Sequence, residues 1–222
     1  TDITVGGKPI KAVVVTSKQA FLYVFDRVTG QPVWPIEERP VEKGDVPGEW
    51  YSPTQPFPTK PPAIDYQGVA LNDLIDFTPG LHAEAVEIAK KYKIGPLFTP
   101  PVVSKVEGPY GSFRSSGGVN WPGGMYDPET HIAYVPSFTS LLPLGLLPPP
   151  NKEFSDAAYV EGDARFGVRY IAGPGEIVPA ELQLPPQSEA AGNGAAILTG
   201  GGLNPQGLPL LKPPYGRITA VN

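Results

Sequence analysis

The sequence predicts an all-β fold, read as part of a β-propeller, and three observations carry that expectation. Short runs of β-branched and aromatic residues, Val13 to Thr16 and Phe21 to Phe25, are bounded by polar turns. The unit Tyr23-Val24-Phe25-Asp26-x-x-Thr29-Gly30 returns as Met125-Tyr126-Asp127-Pro128-Glu129-Thr130, with His131 where glycine is expected. A strand, an Asp-x-x-Thr-Gly turn and a further strand is the repeat of a propeller of four-stranded blades. Finally, 30 prolines and 26 glycines make about a quarter of the 222 residues. That share points to long irregular connections, while 41% apolar content with ten tyrosines and nine phenylalanines argues for a packed core rather than disorder.

The elements follow in order. Ile3 to Val5, Gly6-Gly7 and Ile10 to Val15 read as a hairpin with a glycine turn, and Phe21 to Phe25 as a third strand. Trp34 to Pro62 is dense in proline, including Pro53, Pro56, Pro58, Pro61 and Pro62. Proline cannot donate to a ladder, so the stretch reads as an extended excursion outside any sheet, packed through Trp50, Tyr51 and Phe57. One clear helix is expected within residues 72–94. Thr78 suits its N-cap and Pro79 its first turn, and Leu81, Ala85, Ile88 or Ala89, and Tyr92 share a face. Lys90, Lys91 and Lys93 load its C-terminal end, before Gly95-Pro96. Met125-Tyr126 and Ile132 to Val135 form another hairpin. Residues 141–207 read as a long insertion with weak strand signals at Arg165 to Ile171 and Ile197 to Leu198. Gly216 to Val221 opens a last strand, read as the start of a third repeat. The whole chain, 1–222, is taken as one partial propeller domain.

The composition excludes several chemistries. There are no cysteines, so disulfides, thiolate metal sites and a thiol nucleophile are absent. A net charge of −5 argues against nucleic acid as a partner. No apolar run reaches the ~20 residues of a membrane helix, and no signal peptide is visible. No G-x-S-x-G elbow, P-loop or H-E-x-x-H motif occurs. His82 and His131 are isolated and read as surface residues. On the residues alone, Lys18 reads as a solvated loop lysine.

Val24-Phe25-Asp26-Arg27-Val28-Thr29-Gly30-Gln31-Pro32-Val33-Trp34 and the following Pro35 to Val41 resemble the pyrroloquinoline quinone (PQQ)-dependent dehydrogenases, in their membrane-type glucose dehydrogenase branch. So do Ser52-Pro53-Thr54-Gln55-Pro56-Phe57-Pro58, Leu97-Phe98-Thr99-Pro100-Pro101 and Gly117-Gly118-Val119-Asn120-Trp121. The resemblance runs from about Asp2 to Ser137 and resumes at Tyr215. It implies an eight-bladed propeller holding PQQ and a calcium ion near its axis, usually in the bacterial periplasm. It also implies that Lys18 faces the quinone oxygens, where an ammonium stabilises developing negative charge. Asn120 and Trp121 stand where the family has an Asn-Trp pair lining the same pocket, and Asn can hydrogen-bond to quinone oxygens.

The family's proton-abstracting aspartate and metal ligands are expected upstream of Thr1, so no catalytic base and no metal ligand is assigned within this sequence. Eight blades of ~40 residues exceed its length, and a fragment of roughly three blades, inactive alone, is expected. The implied function is oxidation of an alcohol or aldose sugar by hydride transfer to the quinone. Electrons would pass to ubiquinone or cytochrome c. The alternatives are a non-catalytic propeller scaffold that binds protein partners, and a binding segment at Pro53 to Pro62 in polyproline form.

Overall fold

A computed structural model describes residues 1–115, 118–119, 123–168 and 203–222. The chain opens with strands β1 (Asp2–Val5) and β2 (Lys8–Thr16), joined through Gly6-Gly7, and returns as β3 (Leu22–Asp26). The three form one antiparallel sheet in the order β1-β2-β3, with Val14 opposite Val24. Side chains alternate across such a sheet. Ala12, Leu22 and Val24 are buried, while Val13 and Val15 face outward.

The turn after β3 forms as expected. The Asp26 carboxylate accepts the amides of Val28 and Thr29 at 2.8 and 3.2 Å. Gly30 closes the turn in the left-handed region at φ 74°.

The proline-rich excursion contains sheet after all. Strands β4 (Ile36–Pro40) and β5 (Thr54–Pro58) make an antiparallel ribbon with Glu38 opposite Pro56 and Ile36 opposite Pro58. A two-stranded ribbon leaves every strand an edge. Prolines spaced by two turn their missing donors to the same outer side, where no ladder bond is lost. This pairing takes Thr54–Pro58 out of the free polyproline segment offered as an alternative at Pro53 to Pro62.

Strand β6 (Gly68–Val69), a 3₁₀ turn at Leu71–Asp73, helix α1 (Pro79–Ala89) and strand β7 (Gly95–Pro96) follow. Thr78 is the N-cap, its hydroxyl accepting the Leu81 amide at 3.2 Å. Leu81, Ala85 and Ala89 are the buried face. The helix stops at Ala89, so Lys90, Lys91 and Lys93 lie beyond its last turn. Lys90 pairs with Glu87 at 2.6 Å and Lys93 with Glu42 at 2.5 Å.

Strands β8 (Val102–Val103) and β9 (Ser112–Ser115) lead to the hairpin of β10 (Met125–Asp127) and β11 (Ile132–Phe138). Its turn repeats the first one: the Asp127 carboxylate accepts the Glu129 amide at 2.9 Å and the Thr130 hydroxyl at 2.6 Å. His131 takes the left-handed φ of 58° that Gly30 takes in the first copy.

The stretch read as a long insertion with weak strand signals begins with a strand at the centre of a sheet. Strand β12 (Leu141–Leu147) pairs antiparallel with β9, parallel with β8 and antiparallel with β13 (Val160–Asp163), which continues to β14 (Gly167–Val168). Pro143 and Gly145 argue locally against a central strand. They fit because β12 changes partners along its length, and a β-carbon at Gly145 would lie 2.3 Å from the Tyr110 carbonyl oxygen. The signals at Ile171 and Ile197 to Leu198 lie outside the described residues.

The last strand is β15 (Gly216–Val221). It joins β11 with Phe138 opposite Gly216 and Ala133 opposite Val221 in the sheet β10-β11-β15, the third-strand place that β3 takes in β1-β2-β3. The excursion from Thr139 to Tyr215 is therefore threaded between two neighbouring strands. One core, of Ala20, Leu22, Ile64, Val119 and Val135, joins the two three-stranded sheets. A second, around Leu74, Ile75, Leu81, Phe113, Leu141 and Leu211, packs α1 on the excursion. Each large aliphatic side chain so buried contributes roughly 1.5–3 kcal/mol. Among the described residues no helix is long and apolar enough to cross a membrane.

Candidate functional site

Lys18 lies on the turn between β2 and β3, exposed, and has no ion pair among the described residues. The backbone beneath it is tightly held. Ser17 and Phe21 share a backbone bond of 3.1 Å, and the Phe21 amide reaches the Ser17 hydroxyl at 3.3 Å. Ala20 is fully buried at φ 62°, a conformation that costs an L-residue about 1–2 kcal/mol. Its methyl belongs to the core that joins the two sheets.

Two other segments grip this turn. From residues 64–67, the Ile64 amide donates to the Ala20 carbonyl at 3.0 Å, and the Gln67 side chain donates to the Gln19 carbonyl at 2.8 Å. The second segment is Gly118, at φ 69°, exchanging backbone bonds of 2.8 and 3.3 Å with Phe138. A β-carbon on Gly118 would sit 2.6 Å from the Lys18 carbonyl oxygen. Lys18 is thus brought against the Gly118-Val119 segment. Asn120 and Trp121, which follow in sequence, lie outside the described residues.

Gln67 also lines a cleft of about 250 Å³ with Phe57, Pro96, Leu97 and Thr99. A larger apolar cavity of about 360 Å³ lies between the two three-stranded sheets, lined among others by Leu22, Val24, Trp34, Tyr126 and Val221. Trp34 lines this junction.

One buried polar cluster carries no sequence signature. The Asp65 side chain is 2% exposed and its Oδ1 pairs with Arg217, while accepting from the Thr139 hydroxyl at 3.0 Å and the Tyr66 amide at 2.7 Å. Arg217 also donates to Thr139 at 2.8 Å and stacks 4.9 Å above the Tyr66 ring. Burial pulls the Arg217 pKa down and pushes that of Tyr66 up. Asp65 Oδ2 and the Ser137 hydroxyl are buried without partners among the described residues.

The full span, residues 1–222, matches the family described as PQQ: glucose/ethanol/alcohol dehydrogenase, beta-propeller domain. The chain belongs to this family. As a PQQ-dehydrogenase propeller segment it is similar to the quinate/shikimate dehydrogenase (quinone) of Acinetobacter baylyi, with 30% identity over 95% of this chain and 24% of the relative. The glycerol dehydrogenase large subunit of Gluconobacter oxydans is 28% identical over 97% of this chain and 28% of its own length. The quinoprotein glucose dehydrogenase of Escherichia coli is 27% identical over 100% and 25%. The propeller segment therefore spans about a quarter of the curated relatives it matches. No solved structure matches it significantly. The match includes residues 141–207, where the quoted motifs are missing.

The chain's residues fit the cofactor at one point. A solvent-facing ammonium, uncommitted among the described residues and set on a fixed turn, suits an anionic or quinonoid oxygen. Metal is different: among the described residues no group of three or more His, Cys, Asp or Glu could hold an ion. Calcium is accordingly given no ligand here.

Proposed function

We propose that this chain supplies the lysine-bearing wall of the PQQ site in a dehydrogenase that oxidises a hydroxyl of an alcohol or aldose sugar. The observation that supports this most is the exposed Lys18 on a turn held against two other segments, in a chain of this family. PQQ, when bound, supplies the two-electron acceptor. Lys18 would present its ammonium to the oxygens where negative charge grows, and its fixed backbone means that little reorganisation is needed as that charge appears. The Gly118 approach keeps the turn and the segment leading to Asn120 and Trp121 in register, and those two remain the further candidates for cofactor contact. The hydroxyl proton needs a base within hydrogen-bond reach, and no residue of this chain is given that role.

The relatives' names, quinate/shikimate, glycerol and glucose dehydrogenase, all point to polyhydroxylated small molecules. Quinone stands as acceptor in the name of one of them. We extend this to a ubiquinone or cytochrome c acceptor and, from the family's usual location, to the bacterial periplasm. The test is dye reduction by the full-length polypeptide carrying this chain, loaded with PQQ and calcium and offered glucose, glycerol, quinate and ethanol. Turnover with at least one is expected. PQQ binding with no turnover on any hydroxyl compound would favour a non-catalytic scaffold instead.

A further inference from the structure

We infer that Asp65 is a positioning residue for Lys18, acting through the turn that carries it. The inference rests on the role proposed for Lys18 above. Residues 64–67 are the strap between that turn and the sheet β10-β11-β15. Through Ile64 and Gln67 the strap holds two successive turn carbonyls, those of Ala20 and Gln19. Between them, Asp65 is tied to Arg217 on β15 and to Thr139 just after β11. The Thr219 hydroxyl reaches the Ile64 carbonyl at 3.5 Å and adds a weak third tie.

The charge of Asp65 matters to this arrangement. Its Oδ1 accepts from a guanidinium, a hydroxyl and an amide, and charge-assisted bonds of this kind are about twice as strong as neutral ones. Arg217 stays charged at any ordinary pH. Without the carboxylate its half-buried guanidinium would be left with a threonine hydroxyl and the Tyr66 ring face. The strap would then be free to shift away from the sheet and take the Gln19 and Ala20 carbonyls with it. Ser137 stands directly opposite Arg217 across the ladder, so its side chain shares the face that meets Asp65. The partnerless Asp65 Oδ2 and Ser137 hydroxyl show that this face holds polar capacity beyond what the ion pair uses.

The test compares Asp65→Asn, Lys18→Ala and the double variant in the full-length polypeptide. Hydrogen exchange of the residue 17–21 amides is measured without cofactor, and turnover is measured per bound PQQ. Asp65→Asn is expected to speed exchange of the turn and to lower turnover on the order of tenfold or more, as a small misplacement of a catalytic group does. In the Lys18→Ala background the same change should leave turnover unaltered, because the two act as one unit. An equal fold-loss in both backgrounds, or unchanged exchange at the turn, overturns the positioning role. Faster exchange together with normal turnover of Lys18→Ala overturns the role proposed for Lys18 instead. If Asp65→Asn does not fold, Thr139→Val removes one tie while keeping the ion pair, and the same pattern is expected at smaller amplitude.

Discussion

On the proposed role, replacing Lys18 with Ala in the full-length polypeptide is expected to lower turnover by roughly two to three orders of magnitude, the scale of losing one preorganised donor at a charge-developing oxygen. Folding should be unaffected. The side chain is exposed and has no ion pair among the described residues, and the turn is held by backbone bonds and by Ser17 rather than by the lysine. Exposed substitutions of that kind usually change stability by less than about 0.5 kcal/mol. Lys18→Arg tests geometry separately from charge. Arginine keeps the positive charge but spreads it over a planar fork, so only partial rescue is expected. Turnover measured per bound PQQ, beside a thermal melt, checks both halves. Near-normal turnover of the Ala variant would return Lys18 to an ordinary solvated lysine.

Gly118→Ala is expected to damage both stability and turnover. The residue sits at φ 69°, where an L-side chain costs about 1–2 kcal/mol, and the new methyl would lie 2.6 Å from the Lys18 carbonyl oxygen. That contact is with backbone, which cannot rotate away, so the Lys18 turn must shift. A total loss of about 2 kcal/mol or more is expected, together with weaker PQQ binding. Gly30→Ala is the control. It has a similar φ of 74° but nothing within 4 Å of the added carbon, so it should cost the backbone penalty alone and leave PQQ binding intact. Equal effects of the two substitutions on PQQ affinity would contradict the account of Gly118.

Much of this architecture was legible because its determinants are local. The Asp26 and Asp127 turns, the Gly6-Gly7 hairpin and the Thr78 cap are each specified within a few residues, and each forms as read. The failures are where pairing overrides local preference. Pro56 and Pro58 looked unfit for sheet but sit in a ribbon made of two edges. Pro143 and Gly145 concealed β12, whose partners lie up to about forty residues away in sequence. β15 reads as the start of a repeat, and its pairing with β11, far upstream, is visible only in three dimensions.

The site divides in the same way. Lys18 was found through a family resemblance and not through its own spacing. Gly118 was quoted in a motif, but its contact with the Lys18 carbonyl is visible only in three dimensions. Asp65 had no signature at all. Thr139 and Arg217 stand 74 and 152 residues further along the chain, and no periodicity links groups so far apart. An acidic residue following the apolar Ile64 in a proline-rich stretch would pass for a solvated charge.

The central claim, that Lys18 faces the cofactor, is tested most directly by amine acetylation of the full-length protein with and without PQQ, read by peptide mass spectrometry. The account predicts that bound PQQ slows labelling of Lys18 by about tenfold or more, the protection expected when an ammonium is held in a charge-assisted bond. The exposed Lys8 and Lys60 should be labelled at the same rate in both states. Equal labelling of Lys18 with and without bound PQQ would contradict it.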